Sequence, residues 1–549
     1  MDNMEEVPVN ETENASDVAV SETEQKQWKP NGLLGLVGFD AEKKGTTIKT
    51  EIVAGIVTFL AMAYILTVNP NQIVGAGSPY WSSVFIATAL GAIIGTLLMA
   101  FVAKMPLAQA SGMGLNSMVG GIIGGWGGYG EAFTPGQAFM LVLISGLLFL
   151  LLSLIKVNGK TFRELVFDGM PVAVRSAISV GIGLFIAFIG FQNAGIIVTN
   201  NFTQVGFVDL TNWGSQIVNN GTIDWAQING LWVGATNPFS NTVVMNAAKT
   251  AVVALSGVFL IAILDKLEVK GSIIIGILAA TVIGIPLGVT DLSILAGKGD
   301  VSWKFWENFG NFFSGENSVF GSFLNVFSEG FAPESTSIFT VIMIIITMCM
   351  MDMFDTMGTI VGCCGGNRIL SDENNKPHNY GKIMISDAVA TCAGAMLGTS
   401  TVTTFVESGA GVSAGGRTGL TALVVAALFF LSMFALPLFA AIPSAAAASA
   451  LIYVGVLMMK NNIKDVDFSD AINATSAFLT IIVMVLSYSI TKGIGIGMLS
   501  YTIMSALCYV VELIKSAITK TEKPEWKVSL VAIIVSVLFA IYFFVPATL

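Results

Sequence analysis

Three carboxylates sit where the sequence is otherwise suited to hydrocarbon: Asp352 and Asp355 within Met351–Thr356, and Glu407 within Thr403–Ser408. An aspartate at the bilayer centre costs roughly 2.5–3.5 kcal/mol on insertion scales. A chain keeps such a group there when it faces a cavity, a partner group or a substrate. Asp352 and Asp355 are spaced i, i+3, which predicts one shared helix face, with Thr356 and Thr359 extending the polar stripe. Two carboxyls so close in a low dielectric resist ionising together, so one of them is suited to exchanging a proton. Glu407 precedes Ser408-Gly409-Ala410-Gly411, where a helix could begin, and the positive end of a helix dipole favours a carboxylate. A charged glutamate there accepts hydrogen bonds from N–H groups. The plainer reading of these acids is a structural set tied to Arg417 or to a threonine.

Two segments of unusual backbone character must position these acids. Met105-Pro106-Leu107-Ala108-Gln109-Ala110-Ser111-Gly112-Met113-Gly114-Leu115-Asn116 combines a proline, small residues and two close glycines. Such a run is a poor mid-membrane helix and predicts an extended stretch leading into one. Its counterpart runs from Gly398 to Gly411, where Thr, Val and Phe alternate through Thr403, Thr404 and Phe405, predicting a short strand before a half-helix. Irregular backbone at membrane depth is tolerated only where it is buried or lines a cavity. Two half-helix starts meeting there would offer N–H donors to a planar polar molecule. Close glycine-mediated helix packing is the simpler alternative.

The rest of the chain has the composition of a membrane protein. Of 549 residues, 54% are hydrophobic and 11% charged, against about 25% charged in soluble domains. The N-terminus is polar and acidic, unlike a cleaved signal peptide. Eight acids and one lysine occupy the first 27 residues, so the tail holds most of the net charge of −10 and lacks an apolar pattern. Cys349, Cys363, Cys364, Cys392 and Cys508 lie in or beside apolar runs and read as small buried side chains. No metal or cofactor is expected, and without a membrane histidine or a nucleophile–base set, neither is an enzyme.

Apolar runs long enough to span recur near 51–70, 83–103, 113–126, 136–156, 172–192, 243–263, 271–290, 337–362, 382–398, 406–416, 418–437, 440–459, 473–489, 491–513 and 528–547. A span needs about 20 residues; the third and tenth are too short, and the last three leave room for a peripheral helix. The reading is an all-α polytopic protein of about 14 spans. Lys and Arg collect after even-numbered spans (Lys104, Lys266, Lys270, Arg417, Lys460, Lys464), which predicts a cytoplasmic N-terminus and long outer connectors near 193–242 and 291–336. Met170–Gly183 resembles Ile442–Leu457, and the stretch around Pro106–Asn116 resembles that around Ser400–Gly411. Seven spans per half would invert the halves across the membrane, a pattern of secondary transporters.

Several segments together resemble nucleobase–cation symporter family 2, in its azaguanine-type branch for hypoxanthine, guanine and adenine. They are Gly45–Phe59, Ala63–Leu66, Val68-Asn69-Pro70, Gly112–Asn116, Phe354–Thr359, Gly398–Glu407 and Gly415–Thr421. The resemblance runs from about residue 45 to 513. It implies two inverted seven-span repeats and a base site between spans 3, 8 and 10. It also implies proton coupling, and a homodimer as an assembly open to the family. The acidic position of span 8 falls on Asp352, with Asp355 beside it, that of span 10 on Glu407, and the span 3 positions on Gly114 and Asn116. Where the family shows an apolar-Pro-Gly run, this chain has Ala110-Ser111-Gly112, and Ser117 replaces a bulky residue, so the choice among purines stays open.

The expectation is a proton-coupled importer of purine bases in the cell membrane, with no nucleic-acid partner. Substrate contacts are assigned to Asp352, Glu407, Asn116, Gly114, Phe405 and Thr404, and proton coupling to Asp355 or Glu407. A disordered cytoplasmic tail (1–44) precedes a core domain (45–165 and 337–438) and a gate domain (166–336 and 439–549). A xanthine or uracil permease of the same superfamily, or an anion or sulfate carrier of similar fold, is the alternative. An acidic site argues against the anion carrier.

Overall fold

The computed structural model describes residues 32–40, 44–75, 77–125, 132–157, 160–161, 169–200, 204–208, 210, 216–217, 244–245, 247–297, 301–333, 336–364, 369–371, 377–466, 468–487, 489–520, 522–526 and 528–544. The expected acidic tail lies outside them for its first 31 residues, as does most of the connector near 193–242.

Helices dominate. Thr47 caps α1 (Ile48–Met62), its hydroxyl accepting from the N–H of Thr50 at 3.1 Å. A break at Ala63-Tyr64 separates α1 from α2 (Ile65–Ile73). There follow α3 (Trp81–Leu98), β1 (Gln109–Ser111), α4 (Met113–Ile123), and α5 (Pro135–Leu154), which opens on a Thr134/Gln137 capping box. Helices α6 (Val172–Asn193), α7 (Ala247–Lys266) and α8 (Ser272–Gly284) complete the first half. The connector expected near 291–336 instead carries two helices, α9 (Phe305–Ser314) and α10 (Val319–Glu329). Phe305, Phe309, Phe312 and Phe313 recur at helical spacing and touch one another, and Phe305 stacks on Phe434 with ring centroids 4.3 Å apart, which holds this segment on the bundle.

The second half comprises α11 (Ile338–Cys364), α12 (Tyr380–Leu397), β2 (Val402–Thr404), α13 (Ser408–Ser413), α14 (Gly419–Ser432), α15 (Ser444–Asn462), α16 (Ala471–Leu486) and α17 (Ile490–Thr519). A further helix, α18 (Leu530–Phe544), follows. Among the described residues, seven helical segments are long and apolar enough to cross a membrane, and six more are apolar but shorter.

The halves repeat, and packing shows it. Matching α1/α2 to α11, α3 to α12, α4 to α13 and so on to α8 with α17 makes the helix contacts interchange in pairs. Helix α3 packs on α14 as α12 packs on α5, α1 on α14 as α11 on α5, and α6 on α16 as α15 on α7. Self-equivalent pairs, α6 with α15 and α3 with α12, are also packed together. The equivalent strands β1 and β2 pair antiparallel, in the register Gln109↔Thr404, Ala110↔Thr403, Ser111↔Val402. Antiparallel pairing of equivalent strands is what a two-fold axis between inverted repeats produces. Among the described residues the pairing gives fourteen repeat elements; α9 and α10 between the halves lie outside it, as does α18, which packs on α17 at the C-terminal end.

Small residues let the strands sit this deep. A Cβ added at Gly95 of α3 would lie 2.8 Å from Val402 Cγ1, and one at Gly394 of α12 would also overlap that side chain. Val402 is therefore wedged between two helices at glycine positions, fixing β2 against both.

Candidate functional site

Beyond the three paired residues, the N–H of Gly112 donates to the Thr401 carbonyl at 2.9 Å, and that of Phe405 to the Ala108 carbonyl at 3.0 Å. The strand pair thus leaves little backbone unsatisfied and delivers two short helices into the bundle interior. Glu407 is the residue before α13. The N–H groups of Ser408, Gly409 and Ala410 bond to the carbonyls of Phe405, Val406 and Glu407 at 3.0–3.1 Å. The expectation that both half-helices present free N–H donors therefore fails at α13, because a tight opening turn uses them.

A cavity of about 360 Å³, its open mouth included, lies where these elements meet. Gly112, Met113 and Gly114 line it from α4 and the turn before it, Asp355 and Thr359 from α11, and Thr404, Phe405, Val406 and Glu407 from β2 and the turn after it. Ile182 and Ile186 of α6 and Met458 of α15 supply an apolar wall. The cavity thus joins the strand-bearing bundle to the α6–α15 bundle.

Of the expected contacts, the structure brings Gly114, Thr404, Phe405, Glu407 and Asp355 together around this space. Asp352 and Asn116 do not line it. Residues three apart on a helix are turned about 60° from one another, enough here to send the two aspartates different ways. Asp355 and Thr359 face the cavity. Asp352 is fully buried and accepts from the Thr391 hydroxyl at 3.0 Å, and Thr356, on the Asp352 side, bonds Asp387 at 2.6 Å. The threonine partner anticipated for a structural aspartate is thus present for Asp352. Asn116 is also fully buried and accepts from the Ser400 hydroxyl, away from the cavity lining.

Glu407 is 6% exposed. Its Oε1 accepts from the Tyr64 hydroxyl at 2.6 Å, while Oε2 has no hydrogen-bond partner among the described residues. Asp355 is near enough to interact electrostatically with both Glu407 and Tyr64. A Cβ built on Gly112 would come within 3.7 Å of Asp355 Oδ2. The cavity therefore concentrates hydrogen-bond acceptors on one side and apolar surface on the other, the arrangement of a site for a flat molecule with N–H donors.

Arg417, weighed as a partner for the acids, is elsewhere. Its guanidinium bonds the carbonyls of Val412 and Gly416 at 2.5 and 2.7 Å, closing the end of α13. Glu51 caps α14, accepting from the N–H groups of Arg417, Thr418 and Thr421 at 2.9–3.3 Å.

Sequence reasoning missed Asp387, Gln109 and Tyr64. Asp387 lies in the apolar run Ile383–Leu397 and shows the same anomaly, a lone carboxylate in hydrocarbon, that marked the other acids. Tyr64 and Gln109 carry no such signal; only their placement gives them partners.

The permease family model matches residues 49–219 and 216–496. A guanine/hypoxanthine permease of Bacillus subtilis is 34% identical over 475 residues, covering 85% of this chain and 94% of the relative. An adenine permease of Escherichia coli is 32% identical over 480 residues, covering 87% and 92%. Among solved structures, the transmembrane domain of a cyanobacterial bicarbonate transporter matches 82% of this chain and 97% of its own, with a TM-score of 0.52 at 16% identity. That last likeness concerns the fold alone. The motif resemblance holds: with a broken-helix pair around an acidic cavity and a family match over most of its length, the chain belongs to the permease family and is a multi-pass membrane transporter.

Proposed function

We propose that this protein carries purine nucleobases across the membrane, and that they bind in the cavity between α4, α11, β2 and α6. The observation that carries this reading is the pair of carboxylates, Asp355 and Glu407, at one edge of a small and otherwise largely apolar cavity. A purine base is flat and apolar on its faces and presents N–H donors on its edge. Glu407 Oε2 and Asp355 would accept those donors, Phe405 and Ile182 would contact the ring faces, and Gly114 would leave room for them. The names of the relatives, guanine/hypoxanthine and adenine permeases, point to the same substrate class.

Transport needs the cavity to open alternately to each side. In this reading α1–α5 and α11–α14 would form a core domain (45–165 and 337–438), and α6–α8 and α15–α17 would form a gate domain (166–336 and 439–549). Rocking of one against the other exposes the cavity first outward and then inward. A proton travelling with the base, taken up by Asp355 or Glu407, would drive import, with the chain in the cell membrane and its N-terminus cytoplasmic. An anion carrier of similar fold would place two carboxylates against its own substrate, which Coulomb repulsion disfavours.

Competition for uptake of radiolabelled hypoxanthine tests the reading. Guanine, adenine, xanthine and uracil compete in cells expressing the protein, at two pH values with and without sodium. Purines should compete more strongly than uracil, and uptake should follow pH rather than sodium. Indifference to purines would sink the substrate class; sodium dependence without pH dependence would sink the proton.

A further inference from the structure

We infer that Tyr64 is a positioning residue for Glu407: its hydroxyl holds one carboxylate oxygen so that the other is presented to the substrate. The inference rests on the purine-permease reading of the cavity.

Tyr64 is 1% exposed and stands at the break between α1 and α2, where the chain turns from one helical segment into the next. Its ring lies among buried side chains, and its hydroxyl reaches two elements of the site. It donates to Glu407 Oε1 at 2.6 Å and lies 3.6 Å from the sulfur of Met113, the first residue of α4. One side chain from the first span therefore touches the starts of both half-helices. Glu407 does not cap its own helix. Among the described residues, the Tyr64 hydroxyl is the only side-chain donor bonded to it.

A carboxylate with no second anchor turns about its terminal torsion, which is broad and roughly two-fold. Asp355 nearby adds a repulsive field that would turn it further. The Tyr64 hydroxyl removes that freedom. It assigns Oε1 to the protein and leaves Oε2, which lacks a partner among the described residues, for an N–H of the base. The ring N–H that Glu407 accepts is then fixed by geometry, so a methyl group at that nitrogen should block binding while methyls elsewhere on the ring are better tolerated.

The test compares wild type with Tyr64→Phe for initial rates of purine uptake, normalised to protein in the membrane. Competition by 1-, 3-, 7- and 9-methylated purines is run in parallel. Thermal stabilisation of purified full-length protein by hypoxanthine gives a second reading of binding. The expected result is a KM raised about tenfold, the loss of one hydrogen bond to a charged group. The maximal rate should stay within about twofold, and discrimination against the one critical methyl should shrink. Unchanged KM and methyl pattern, or a fall in maximal rate alone, would overturn the inference while leaving the purine reading intact. A Tyr64→Phe chain that fails to insert would assign the hydroxyl to folding and overturn it too. Wild type that takes up no purine would sink both.

Discussion

The side-chain amide of Gln109 on β1 donates to Asp387 of α12 at 2.8 Å, and neither residue lines the cavity. Thr356 of α11 donates to the other oxygen of the same carboxylate at 2.6 Å. Asp387 thus ties together a strand of the first repeat and two helices of the second. Thr404 of β2 also donates to it at 3.4 Å, so replacing Asp387 with alanine would take the shared acceptor from three buried donors, at a cost of about 3 kcal/mol. Asp387→Asn keeps an acceptor oxygen and should lose less. Thermal unfolding in detergent measures both, and equal melting temperatures for the alanine variant and wild type would contradict the role.

The two aspartates of α11 should separate by phenotype. Asp355→Asn is expected to raise the KM for purines about tenfold or more, since Asp355 lines the cavity. Asp352→Asn should act mainly on stability through its Thr391 contact, with the KM of inserted protein within about threefold. The reverse pattern would restore Asp352 as the ligand.

Glu407→Gln should abolish most purine uptake while the protein remains inserted, because the amide can no longer offer a charged acceptor to the base. Uptake at the wild-type rate and with the same pH dependence would remove Glu407 from the site.

Glycine spacing in the first broken element makes two distinct predictions. A Cβ at Gly114 would sit 3.2 Å from Ile490 Cδ1 and project into the cavity wall, so Gly114→Ala should weaken binding by a few-fold with normal abundance. A Cβ at Gly112 would lie 2.9 Å from the methyl of Thr403, so Gly112→Ala should strain the strand pair and lower abundance. Uptake kinetics together with quantified membrane protein distinguish the two.

Glu51 ends the first turn of α1 and caps α14, more than 360 residues away in sequence. Glu51→Ala is expected to destabilise by about 2 kcal/mol through loss of three backbone acceptors and the Thr421 hydroxyl contact at 2.5 Å. A melting temperature unchanged in low-salt detergent would refute the cap.

Much of this was legible in the residues. Apolar runs named the spans, because hydrocarbon admits few other compositions. The proline and glycines of 105–116 and the alternation at 402–405 named both broken elements, because those residues cannot sustain a helix. Carboxylates in apolar runs marked the neighbourhood of the site, since each costs energy there. Helices α9 and α10 were passed over as connector although their phenylalanines recur at helical spacing; a long loop between spans hid a pattern that was present.

The sequence by itself determined the membrane class, the doubled architecture and which acids are anomalous, because composition, period and charge are local properties of the chain. Tertiary structure alone decided which acid faces the cavity. Asp352 and Asp355 differ by about 60° of rotation on one helix; the fold places α6 across the cavity from Asp355 and Thr391 of α12 beside Asp352, which makes one a wall of the site and the other a buried tie. The same holds for Tyr64 and Glu407. Nothing in residues 343 positions apart predicts a 2.6 Å hydrogen bond; inverted repeats folding span 1 against span 10 create it.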